Sequence, residues 1–181
     1  KPPSESMRLM GDITAPSDSA FAAIIAKELL AETDGNIVFS PVGLCHVLEM
    51  LQAGMDENSP IYERVYELID RFNSDIEPVD EESFKLEHAS SIWYNQSLGI
   101  IKEDYVDELE NVYDAEAHHA DFTQKMFTKL MIDKWVSDNT HQMIKSLDTE
   151  ISQGSLMLVL DAIYMKGKWE NPFDPDYTET D

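Results

Sequence analysis

The chain has one cysteine, Cys45, and few cations: 13 Lys and Arg stand against 36 Asp and Glu among 181 residues, a net charge of −23. A single thiol excludes an internal disulfide, so the fold has to rest on packing. The shortage of Lys and Arg argues against nucleic-acid and membrane-surface partners, because such a surface repels phosphate backbones and anionic lipids. No apolar run approaches the roughly 20 residues of a membrane span. No signal peptide is visible either: Lys1-Pro2-Pro3 leads into polar residues, as a mature or trimmed start would. Glycine is scarce, with seven in all. There is no phosphate-cradling glycine loop, no nucleophile elbow and no zinc spacing. No catalytic residue, cofactor or metal is therefore assigned, and the chain is not expected to be an enzyme.

What is present is a core. Apolar residues make up 43% of the chain and aromatics 9%, at a length that suits one domain or a large piece of one. Ser17-Asp18-Ser19 offers N-cap oxygens, and Phe21, Ile24, Ile25 and Leu29 follow at helical spacing. Asn36 to Ser40 is a short β-rich run, closed by Pro41 at the first turn of a second helix. That helix is apolar nearly all round, through Leu44, Val47, Leu48 and Leu51, and is expected to be buried until Gly54 stops it. Cys45 on it reads as a small hydrophobe. Ser59-Pro60 opens a third helix, faced by Tyr62, Val65, Tyr66 and Ile69.

Residues 73–83 read as an acidic linker, and Ser90 to Tyr94 as a strand that ends in a turn at Asn95 to Gly99. Asn95-Gln96-Ser97 in that turn is a formal glycosylation sequon and carries no functional weight by itself. Tyr105, Leu109, Val112 and Tyr113 stripe one helix; Phe127, Leu130, Met131 and Trp135 stripe another. His118 and His119 are neighbours on an expected strand and so point to opposite faces, which denies them a shared metal ion. Leu158 to Tyr164 reads as a strand buried on both faces, with Asp161 in its middle. The pattern is mixed α+β.

Three segments, in order, resemble the serpins, a family of serine or cysteine protease inhibitors. NIVFSPVGLCHVLEMLQAGM at 36–55 is similar to the family's strand-then-helix signature. DYVDELENVYDAEAHHADF at 104–122 resembles a helix and edge strand ending in Asp121-Phe122. IDKWVSDNT at 132–140 followed by LVLDAIYMKGKWENPF at 158–173 resembles the next helix and central strand. Within the last segment Lys166-Gly167-Lys168-Trp169 is the most specific element and marks the family's sheet A exit turn. Two patterns depart from the family. Its Thr-x-Gly-Lys-Ile reads Thr140-His141-Gln142-Met143-Ile144, and its Ala-Asn-Ala reads Ala89-Ser90-Ser91.

The resemblance implies a serpin-like α+β fold, with helices packed behind a mainly antiparallel sheet A. Residues 1–16 would be an N-terminal tail, and residues 17–181 the N-terminal part of a single serpin domain. The reactive loop and its P1 residue belong to the C-terminal half and match nothing in this sequence. By resemblance the partners are a target protease and the remaining half of the fold, or a second chain completing sheets A and B. The implied action is inhibition: a protease cleaves the reactive loop, which inserts into sheet A as an extra strand and distorts the acyl-enzyme. The implied location is extracellular or periplasmic. A non-inhibitory carrier or interaction module, or a structural protein borrowing half the scaffold, are the other readings.

The resemblance also places Ser40, Gly43 and Asp161 in the shutter beneath sheet A. Asp161 stands where the family usually has Asn, and Gly43 where it has a second Ser. Three accounts of Asp161 stay open: pairing with a cationic His from the C-terminal half, a pKa raised by burial, or contact with ordered water.

Overall fold

The computed structural model describes residues 17–33, 35–69, 78–95, 98, 101–148 and 150–171, with side chains from residue 21 onward. Two units divide between Ser74 and Asp75.

The first unit is helical: α1 (Ser17–Glu32), α2 (Pro41–Ala53) and α3 (Pro60–Ile69). Ser40 caps α2, its hydroxyl accepting from the Gly43 N–H at 3.1 Å, and Pro41 fills the position whose N–H would be orphaned anyway. Ser59 does the same for α3 through the Ile61 N–H at 3.3 Å. Phe21, Cys45 and Ile69 form a buried cluster to which Ile25, Leu48 and Val65 add partial cover. The expected burial of all of α2 is met only in part. Gly43, Cys45, His46 and Met50 are buried, while Leu44 is exposed and Val47, Leu48 and Leu51 are half-buried. Asn36 to Ser40 is not a strand. Val38 is 98% exposed, and among the described residues no strand lies alongside to complete a ladder, without which β-prone residues stay unpaired.

The second unit is built on a four-stranded sheet: β1 (Val79–Asp80), β2 (Phe84–Tyr94), β3 (Ala115–His119) and β4 (Met157–Gly167). The expected linker at 73–83 is corrected from residue 79 on, where β1 turns back on β2; residues 73–77 lie outside the described residues. β2 is longer than Ser90 to Tyr94, running eleven residues. β4 pairs antiparallel with all of it, from Phe84 opposite Gly167 to Tyr94 opposite Met157. β3 runs parallel to Ser90–Tyr94. Because β4 occupies one edge of β2 throughout, β1 and β3 share the other, and no strand among the described residues pairs with the outer edge of β4.

Alternation divides the sheet into two faces. Ala89, Trp93, Leu158, Leu160 and Ala162 point to one, where α5 (Lys125–Asn139) packs; α4 (Glu103–Val112) lies against β3. The core beneath α5 joins Trp93, Phe122, Ile132, Trp135, Val136 and Ala162. The buried side of α5 is thus Thr128, Ile132, Trp135 and Val136. Of the expected stripe, Trp135 and the half-buried Met131 face the core, whereas Phe127 and Leu130 are 61% and 62% exposed. Met131, Ile132, Trp135 and Val136 already make a complete i, i+1, i+4, i+5 face, and a 3.6-residue turn leaves Phe127 and Leu130 outside it.

Where α5 ends, the chain adopts two consecutive left-handed residues, His141 at φ 49° and Gln142 at φ 63°. They are held by the Gln142 N–H donating to Ser137 O at 2.7 Å and by Thr140, whose hydroxyl donates to Val136 O at 2.7 Å and accepts from the Ile144 N–H at 3.2 Å. Gln142 occupies the place of the glycine in the family pattern, and a side chain there is strained. Gln142→Gly is expected to raise stability by about 0.5–1 kcal/mol, read as a higher urea midpoint at unchanged slope.

Further along the same connection, Asp133 accepts from the Leu147 N–H at 3.0 Å and from Lys129 Nζ at 2.9 and 2.8 Å. Burial pushes the Asp133 carboxyl up, but the Lys129 and Leu147 hydrogen bonds and the Lys129 charge outweigh it and hold the group below the usual carboxylate range. A depressed folded pKa gives stability that is present above the unfolded value near 4 and lost as pH falls through the folded one. The gap in urea midpoint between wild type and Asp133→Asn is therefore expected to be full at pH 6 and to shrink below about pH 4.

Candidate functional site

Asp161 sits directly opposite Ser90 in the β2–β4 register, with His88 two residues back on the same face. Ser90 Oγ donates to Asp161 Oδ2 at 3.0 Å, and His88 Nε2 lies 2.6 Å from the same oxygen, within hydrogen-bond distance. Ser90 Oγ and His88 Nε2 are 3.4 Å apart. The side chains of Asp161 and His88 are only 6% and 14% exposed. Two strands thus aim three polar groups at one point in an otherwise apolar ladder, where Ile92, Val159 and Ile163 are the neighbours on the same face.

One of the three accounts of Asp161 pairs it with a histidine of the C-terminal half. Within this chain, His88 of β2 lies beside it. The sequence reading, which begins the strand at Ser90, gives neither His88 nor Ser90 a role. The signal lay in the alternation Phe84, Leu86, His88, Ser90, Ile92, Tyr94 against Lys85, Glu87, Ala89 and Ser91, which extends the strand and puts His88 and Ser90 on one side.

The arrangement is not that of a nucleophilic triad. Ser90 gives its hydrogen bond to the carboxylate rather than to the imidazole, and both partners crowd one oxygen. It can hold two strands together.

The other expected site residues fall as follows. Ser40 and Gly43 meet each other at the head of α2. Lys166 and Gly167 still belong to β4, opposite Lys85 and Phe84, so the exit turn starts later than expected, at Lys168, whose N–H donates to Ser83 O at 2.9 Å; Trp169 is exposed. Cys45 is fully buried, and burial, with Glu49 beside it, pushes its thiol up to about 12, the behaviour of a packed and unreactive group. Asn95 of the sequon is 8% exposed, with its N–H on Leu156 O; Gln96 and Ser97 lie outside the described residues. His118 and His119 do face opposite ways, His118 stacked on Trp93 at 4.2 Å between ring centres and His119 edge-on to Tyr94 at 4.8 Å.

The second connection to the sheet comes from His141, which pairs with Glu87 of β2 and rests on Tyr164 of β4 with ring centres 4.3 Å apart. Hydrogen bonds from Lys85 and His141 hold the Glu87 carboxyl below its usual range. The loop after α5 is therefore fastened across both strands that flank the polar cluster.

Comparison with known proteins agrees with this architecture. The family model described as Serpin (serine protease inhibitor) matches residues 16–181. A serine protease inhibitor of Mus musculus is 32% identical over 179 residues, covering 91% of this chain and 40% of that protein. The structure of ovalbumin from emu, Dromaius novaehollandiae, superposes with a TM-score of 0.76 at 21% identity, over 91% of this chain and 49% of that one. Reactive-loop-cleaved human thyroxine-binding globulin gives 0.75 at 22%, over 91% and 52%. The chain spans about 40% of the length of the curated relatives it matches. This protein belongs to the serpin family, and its α+β fold is the N-terminal half of the serpin fold.

Proposed function

We propose that the protein acts as an inhibitor of serine or cysteine proteases, taking a cleaved reactive loop as a new strand against β4, and that it is not an enzyme. The observation that carries this reading is the outer edge of β4: eleven residues long, with no partner among the described residues. A row of free N–H and C=O groups is the template for strand addition. In this reading residues 17–181 are the N-terminal part of one serpin domain behind a 16-residue tail, completed by its C-terminal half or by a second chain, and the protein works outside the cell or in a periplasm. The assignment of Ser40, Gly43 and Asp161 to the shutter belongs to the same proposal, with His88 and Ser90 added to it. The test is to incubate the full-length protein with a panel of serine and cysteine proteases. A covalent complex that survives a denaturing gel is the expected result; cleavage without any complex would overturn it.

A second reading, a non-inhibitory carrier or interaction module, draws on the altered residues Gly43 and Asp161 and on the likeness to a relative named for binding thyroxine. It predicts the second outcome of the same experiment.

A further inference from the structure

The apolar residues of α5 exceed what its buried side can use. Met126, Phe127 and Leu130 are 82%, 61% and 62% exposed. On a helix they fall within an arc of about 100°, with Leu130 between the other two. Grooves flank this ridge. One, of about 530 Å³, runs between Lys125, Met126 and Lys129 on the helix and Asp148, Glu150 and Ile151 of the connection to β4. The other, of about 360 Å³, lies beside Phe127 and Met131 and is closed by Asn95, His119 and Asp121. Isolated exposed hydrophobics need no explanation, but three adjoining ones between two grooves form a patch of the kind that marks an interaction site.

The charges around the patch indicate what fits it. Lys129 is taken up by Asp133 and Leu147 O, and Lys134 by Asp138. That leaves Lys125 against Asp121, Asp148 and Glu150, with Asp121 kept ionised by hydrogen bonds from Thr123 and Gln124. The rim is net negative on a chain of charge −23. A second copy carries the same charge and is repelled. Strands added at the open edge of β4 extend the sheet in its own plane, whereas this ridge points away from the sheet on the far side of α5.

We propose that the outward face of α5, centred on Met126, Phe127 and Leu130, is a docking surface for a protein segment presenting apolar anchors flanked by Lys or Arg. The apolar anchors seat against the ridge and its grooves, and the basic flanks meet Asp121, Asp148 and Glu150. Affinity is carried by the ridge, and charge sets partner choice and salt dependence. This inference is independent of protease inhibition and stands or falls without it.

The probe is a fluorescently labelled 15-residue amphipathic helix with leucines on one face and lysines on the other, titrated into the full-length protein, beside a counterpart in which glutamates replace the lysines. The lysine peptide is expected to bind and the glutamate peptide to bind at least about tenfold more weakly. Phe127→Gln with Leu130→Gln should weaken the lysine peptide by about tenfold or more, with the thermal midpoint unchanged because both positions face solvent. Asp148→Asn with Glu150→Gln should weaken it several-fold and flatten its salt dependence. Equal binding by wild type and the Phe127/Leu130 variant would mean attraction by bulk charge alone and overturn the proposal. So would self-association of wild type that the variant abolishes, which would make a second copy the occupant, or no binding at all.

Discussion

Phe122→Ala is expected to lower stability by about 4 kcal/mol, while Phe127→Ala, five residues on, stays within about 0.5 kcal/mol of wild type. Phe122 is fully buried in the cluster that joins Trp93 of β2, Ile132 and Trp135 of α5 and Ala162 of β4. Deleting its ring removes transfer energy and leaves a cavity whose walls come from three separate elements and cannot easily collapse together. Phe127 stands outside that cluster on the open side of the same helix. A chain of this size shifts its unfolding midpoint by about 2–4 °C per kcal/mol, so the two variants should differ by roughly 7 °C or more in a thermal scan. Comparable losses for both would place Phe127 in the core and remove the exposed ridge on which docking at α5 depends.

The same two residues show how far the sequence could be read. Asp121-Phe122 was recognised as the close of an edge strand, and the strand, the helix after it and β4 all lie within two or three residues of where periodicity and resemblance put them. Periodicity located α5 but its stripe meets the core only through Met131 and Trp135, because the helix carries apolar residues on both sides and two competing stripes satisfy the same spacing. The register of the sheet was illegible for a different reason. Nothing local says that Ser90 faces Asp161 across 71 residues of chain, and pairing two strands is a choice made by packing. Asn36 to Ser40 failed in the opposite direction. Its β-branched and aromatic residues are suited to a sheet, yet propensity needs a partner strand, and among the described residues there is none. The strain at Gln142 is half legible: the sequence shows a glycine of the family pattern replaced, and the left-handed backbone there gives the replacement its cost.

His88→Ala is expected to destabilise the protein by about 2 kcal/mol, the cost of losing a buried hydrogen bond at the Asp161 carboxyl, to which Ser90 still donates. Asp161→Ala removes the carboxyl that both His88 and Ser90 contact and should cost a similar amount. If the two act as one unit the double variant loses much less than the sum, with a coupling of about 1–3 kcal/mol. Asp161→Asn separates charge from geometry. Both partners meet one oxygen, so an amide keeps one of the two hydrogen bonds there, and the loss should be only about 1–2 kcal/mol if hydrogen bonding is what the cluster provides. A loss as large as that of Asp161→Ala would mean that the charge itself is required. The consequence for β4 is direct. Each of these bonds crosses from β2 to β4, so the variants that weaken them should loosen the strand whose free edge the proposed insertion uses. Amide hydrogen exchange in β4 should rise in His88→Ala. Additive losses from His88→Ala and Asp161→Ala, with exchange in β4 unchanged, would reduce the cluster to three polar residues that happen to share a face.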